Sequence, residues 1–206
     1  MDRRRFIQLG SFVTVSTATL GLAGCGSDNN SSRGPASANL PPQATRSQWK
    51  FPQGVASGDP KSDSILLWTR LVPSTADNVT SSTHADTSLM LMVTASDNAG
   101  SVGTDTALTG TMVVNDAVPT YASYDHTARH KVQGLAAGTT YYYQFVAGTA
   151  RSMVGRFKTA PAATDSTAQL KFAVLTCQDW STNHWGVYTD LVSQDLDFYL
   201  HLGDYI

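Results

Sequence analysis

Leu135-Ala136-Ala137-Gly138-Thr139-Thr140-Tyr141-Tyr142-Tyr143-Gln144-Phe145 is the stretch whose reading decides the fold. A glycine-marked turn runs directly into Thr and aromatic residues, which suit a half-buried pleated surface. Period-2 alternation puts Tyr141, Tyr143, Phe145 and Ala147 on a core face and Tyr142 and Gln144 on the outer face. Alternation already accounts for the inward tyrosines, so an aromatic platform for carbohydrate is the weaker reading.

Working outward, the chain around this stretch is a series of short strands. Ser64–Leu71, Leu89–Thr94, Gly110–Val114, Ala128–Val132, Thr139–Ala147 and Ser152–Lys158 are rich in aliphatic and β-branched residues. Asp, Asn, Gly and Ser clusters such as Ser96–Gly100 and Gly103–Asp105 separate them. This spacing predicts a small all-β sandwich over residues 49–160. Phe51–Pro60, with two glycines and a terminal Asp-Pro, reads as a structured turn, and Asp59 as a turn residue in preference to an acid catalyst. Leu135–Phe145 also resembles the start of strand F in fibronectin type III-like domains. The resemblance implies an immunoglobulin/fibronectin-like sandwich in which a tyrosine hydroxyl hydrogen-bonds back across the corner.

After a polar linker from Pro161 to Gln169 the periodicity changes. Leu170–Thr176 is a mostly apolar run, as in a strand buried on both faces. His184–Asp195 supports a helix, with Trp185, Tyr188, Leu191 and Val192 along one side and Asn183 as N-cap. Leu196–Leu202 then runs into Gly203-Asp204. Strand, helix, strand predicts the first βαβ unit of an α/β domain over residues 168–206. If the strands are parallel neighbours, Cys177 and Asp204 emerge on the same sheet edge, where open α/β sheets build ligand and metal sites. A thiolate and a carboxylate brought together can bind a transition metal. Taken singly, Cys177 would be a buried hydrophobe and Asp204 a helix cap.

The N-terminus reads as an address. Arg3-Arg4-Arg5-Phe6 is a twin-arginine pattern, and the uncharged stretch Leu9–Gly24 suits a signal h-region but is too short and weakly apolar to span a bilayer. Residues 1–24 are therefore expected to direct export by the twin-arginine route, to the periplasm or cell surface. Leu22-Ala23-Gly24-Cys25 resembles a lipoprotein lipobox, which implies lipidation of Cys25 and attachment to a membrane. The alternative is an ordinary signal peptide with an incidental cysteine. Residues 25–48, mostly Ser, Asn, Gly, Pro and Ala, read as a flexible linker.

Composition narrows the function. The chain has 206 residues, 15% of them charged, and a net charge of -2, so no basic excess points to nucleic acid. Of its two cysteines, lipidation of Cys25 would leave Cys177 without a disulfide partner. An unpaired thiol in an oxidising compartment calls for burial or metal ligation.

Arg3–Phe6, Gly54–Pro60, Leu67–Leu71, Cys177-Gln178, Asp195–Phe198 and His201–Ile206 together resemble the PhoD family of alkaline phosphatases. The resemblance covers nearly the whole chain. It implies an N-terminal immunoglobulin-like domain followed by a metallophosphoesterase domain, with ferric iron and calcium hydrolysing phosphate mono- and diesters. It implies that Cys177 ligates iron and that Asp204 bridges iron to calcium. The family's iron-ligating tyrosine lies three residues after that aspartate, so Tyr205 does not take its role. The Asp-x-His opening of general phosphoesterases is replaced here by Thr176-Cys177-Gln178. The chain is accordingly expected to be the front part of a longer enzyme, inactive alone. Competing readings are a lipid-anchored fibronectin-like adhesion module and a different metallohydrolase of the same broad group.

Overall fold

The computed structural model describes residues 40–42, 49–74, 85–166, 169–179, 181 and 185–204. The export signal, Cys25 and most of the linker lie outside the described residues. Two antiparallel sheets dominate. The first pairs β2 (Val55–Gly58), β3 (Ser64–Arg70) and β7 (Thr127–Gln133) in the order β2-β3-β7. The second contains β5 (Thr87–Thr94), β6 (Met112–Thr120), β8 (Thr140–Ala147), β9 (Ala150–Arg151) and β10 (Gly155–Lys158). Its order is β10-β8-β5-β6, with β9 folded back on β8. A short pair, β1 (Trp49–Lys50) with β4 (Val72–Pro73), completes the β structure of this part.

Alternation builds the core. Ile65 and Leu67 of β3 and Ala128 and Val132 of β7 meet Leu89, Leu91 and Val93 of β5 and Tyr141, Tyr143 and Phe145 of β8 in one buried cluster. Each large apolar side chain taken fully from water here contributes about 1.5–3 kcal/mol before ordering entropy. Tyr141 behaves as expected of a corner tyrosine, its hydroxyl accepting the Ala136 N–H at 2.9 Å. Asp59 lies in the left-handed region at φ 48° and pairs with Lys61 at 2.8 Å, a turn residue as expected.

The outer face of β8 departs from expectation, because Tyr142 and Gln144 are buried. Residues 95–109 fold over that face. Gln144 Nε2 donates to the Thr106 and Ser152 carbonyls at 3.0 and 2.9 Å, and Tyr142 donates to Asp97 at 3.3 Å. Leu108, Tyr142 and Val154 make a second apolar cluster beneath this flap. Burial and the Asp97 carboxylate push the Tyr142 hydroxyl above its ordinary pKa. β6 also runs well beyond the expected Gly110–Val114, because its whole length pairs with β5. β2 falls in a stretch read as turn; it is a short edge strand, formed by pairing with β3 despite its poor composition. Leu40–Pro42, inside the stretch read as a linker, is tied down. Ser88 N–H and Thr87 Oγ1 donate to the Pro42 carbonyl at 3.0 and 2.9 Å.

Downstream, β11 (Phe172–Leu175), α1 (Gly186–Val192) and β12 (Phe198–His201) follow in order, and β11 pairs with β12 in parallel. Phe172 and Phe198 are register partners and stack at 5.2 Å. The expectation of a strand buried on both faces is not met. Phe172 is 49% exposed, Tyr199 63% and Leu202 68%, because two strands and one short helix cannot cover their own sheet. The helix is shorter than His184–Asp195. It begins after Trp185, which holds the N-cap position in the left-handed region at φ 55°. Asn183, expected there, lies outside the described residues. Val192, placed on the apolar side, is exposed.

Candidate metal centre

Parallel pairing brings Cys177 and Asp204 to one edge, as the βαβ pattern requires. Past the strand ends the two loops remain joined: Leu202 N–H donates to Leu175, Cys177 N–H to Gly203 and Gln178 N–H to Asp204, at 2.9, 3.2 and 2.7 Å. Both candidate ligands adopt left-handed backbone, Cys177 at φ 57° and Asp204 at φ 53°. For asparagine or aspartate this conformation is common; for cysteine it is disfavoured and marks a position held by its surroundings. Gly203, at φ 118°, supplies the turn that only glycine makes without strain.

The Cys177 thiol is free and exposed, and its sulfur lies 3.4 Å from Thr176 Oγ1. Among the described residues no third His, Cys, Asp or Glu side chain joins this pair to make a metal-binding group. His201, the last residue of β12, accepts the Gly203 N–H at Nδ1, 3.3 Å away. On the helix side, the Tyr188 hydroxyl donates to Gln178 Oε1, an interaction that nothing in the sequence pattern signalled.

The opposite edge of the parallel pair has a different character. A cleft of about 410 Å3 there is lined by Thr140, Arg156, Lys158, Gln169, Lys171, Asp195 and Asp197. Lys158 of β10 bonds Asp197 at 2.8 Å, and Asp197 also accepts the Lys171 N–H at 3.0 Å. Arg156 lies 3.7 Å from Asp195. These contacts tie the sandwich edge to the N-terminal ends of β11 and β12, away from the Cys177–Asp204 edge. The Lys158 hydrogen bond, then the Lys171 amide, holds the Asp197 carboxyl below its ordinary range. Among the described residues no helix is long and apolar enough to cross a membrane.

Comparison with known proteins agrees with the sequence motifs. The family described as PhoD-like phosphatase, N-terminal domain, matches residues 34–161. Alkaline phosphatase D of Bacillus subtilis (strain 168) is 32% identical over 205 residues, an alignment spanning all of this chain and 32% of that protein. A solved structure of PhoD superposes with a TM-score of 0.66 at 30% identity, over 79% of this chain and 29% of that one. The fn3 domain of human contactin 1 aligns over 66% of this chain and 98% of its own at 13% identity, with a TM-score of only 0.33. The chain thus spans about a third of the length of the alkaline phosphatase D it matches. It belongs to the PhoD-like phosphatase family.

Proposed function

We propose that, in a chain of its relatives' length, this protein is a metal-dependent phosphoric ester hydrolase acting on phosphate mono- and diesters. Cys177 and Asp204 are the ligands that this segment contributes. The observation carrying the reading is that both lie just past the ends of parallel, hydrogen-bonded strands, in left-handed backbone, in loops joined by the Cys177–Gly203 and Gln178–Asp204 backbone bonds. Their donor chemistry fits the iron and calcium that the family resemblance implies: a thiolate suits iron, and a carboxylate with two oxygens can bridge to a harder cation. Bound there, the cations would neutralise phosphoryl charge and lower the pKa of a bound oxygen nucleophile.

The chain's own residues have simpler tasks. The Cys177–Gly203 hydrogen bond holds the two strand-end loops together, and Gly203 turns the chain so that Asp204 follows the end of β12. Among the described residues two candidate donors make an incomplete site, since a stable one needs about four. The 206 residues alone therefore hold metal weakly and do not turn over substrate. In this reading residues 49–160 form an immunoglobulin-like N-terminal domain and 168–206 open the metallophosphoesterase domain. Residues 1–24 direct twin-arginine export, and Cys25 at the head of the 25–48 segment carries lipid.

The test is hydrolysis of an aryl phosphate monoester and diester by the full-length protein, before and after metal removal by chelation. Loss of both activities on chelation, restored by iron with calcium, supports the reading. Undiminished hydrolysis by metal-free protein contradicts it.

A further inference from the structure

Gln178 occupies a position that metal ligation alone leaves unused. Its backbone N–H donates to the Asp204 carbonyl at 2.7 Å, one residue after Cys177 N–H has donated to Gly203. Its side chain is held from the helix, where the Tyr188 hydroxyl donates to Gln178 Oε1. Tyr188 is set in turn by Trp185, whose carbonyl accepts the Tyr188 N–H at 3.0 Å and whose ring lies 5.6 Å from the tyrosine ring. A primary amide has one acceptor oxygen and an NH2 with two donors. In this arrangement Oε1 accepts from the hydroxyl, which leaves Nε2 as the end of the amide that can donate elsewhere. Among the described residues no hydrogen bond engages Nε2, although the side chain is half-buried. A neutral amide donor next in sequence to Cys177, with its backbone bonded to Asp204, complements an anion and does not compete with it for metal.

We propose that Gln178 contacts substrate, donating from Nε2 to a phosphoryl oxygen at the Cys177–Asp204 edge, and that Tyr188 is its positioning residue. This inference rests on the metal-centre reading above and assigns a role to two residues outside the ligand set. Removing the Tyr188 hydroxyl frees the amide to rotate and to present its oxygen to the phosphoryl group, which repels it.

The test uses the full-length, metal-loaded protein, with inorganic phosphate as probe in calorimetric titration and iron content measured in parallel. Gln178→Ala should keep wild-type iron and bind phosphate roughly 10- to 100-fold more weakly, the range for a hydrogen bond to a charged group. Tyr188→Phe should weaken phosphate several-fold, and the double variant should be no weaker than Gln178→Ala, as expected of residues acting in series. Gln178→Asn, shorter but isopolar, should fall between wild type and alanine. Iron retained with phosphate affinity unchanged in Gln178→Ala overturns the inference and leaves the metal reading intact. Loss of iron in Gln178→Ala also overturns it, by making the residue a support for the metal. Wild-type protein that holds neither iron nor phosphate overturns both.

Discussion

Gly155 lies under the ring of Tyr143: a Cβ built on Gly155 would sit 2.3 Å from Tyr143 Cε1 and 2.8 Å from its hydroxyl oxygen. The two are register partners on β10 and β8, so the missing side chain of one makes room for the ring of the other. Gly155 is not among the residues with positive φ, which makes the constraint purely one of space. Gly155→Ala should destabilise the 206-residue chain by about 1–3 kcal/mol through overpacking. Chemical denaturation measures it. In a Tyr143→Leu background the same substitution should cost much less; an equal cost in both backgrounds would show that the ring is not the obstacle.

The Tyr141 hydroxyl accepts the Ala136 N–H, closing the corner before β8. Tyr141→Phe keeps the ring stack on Phe157 and leaves that amide without its acceptor. A loss of about 1 kcal/mol is expected, which corresponds to a fall in Tm of several degrees. An unchanged Tm would mean that the corner bond adds nothing.

Asp197 joins Lys158 of the sandwich to the backbone of Lys171. Its folded pKa lies below its ordinary value of 3.8, so the stabilisation is present above that value and fades as pH falls through the folded pKa. The pair is partly exposed, so the stabilisation should stay under about 1 kcal/mol and shrink in salt. Wild type should exceed Asp197→Asn in stability at pH 7, and the gap should close as pH falls through the folded pKa of the carboxyl. A gap that is constant with pH would assign the effect to packing.

Cys25 follows Leu22-Ala23-Gly24 at the end of an uncharged stretch, the pattern of a lipidated residue. In the expressing bacterium, Cys25→Ser should move mature protein from the membrane to the soluble fraction. Wild-type protein already soluble and beginning at another residue would remove the lipid from the account.

The inward tyrosines were legible because period-2 alternation names the face of each side chain. It does not say what covers the other face, and so Tyr142 and Gln144 were misplaced: the 95–109 flap over them is a tertiary event. The same limit applied downstream. Leu170–Thr176 carries the composition of a doubly buried strand, while its exposure depends on neighbours that the segment itself does not contain. The Cys177–Asp204 edge could be anticipated, because parallel βαβ geometry alone places two strand ends together. The Tyr188–Gln178 bond could not, since helical periodicity assigned Tyr188 to an apolar face and gave no sign of where its hydroxyl reaches. Left-handed backbone at Cys177 and at Trp185 was equally hidden, being imposed on residues with no intrinsic preference for it.

The central claim is that Cys177 and Asp204 hold metal, and the most direct measurement is the iron and calcium content of the full-length protein and of its Cys177→Ala and Asp204→Asn variants. Cysteine to alanine is a small change in side-chain volume, so the variant should melt close to metal-free wild type while iron falls away. Asp204→Asn should lose both ions, because one carboxylate is assigned to two cations. Stoichiometric iron retained in Cys177→Ala, or both ions retained in Asp204→Asn, would contradict the account.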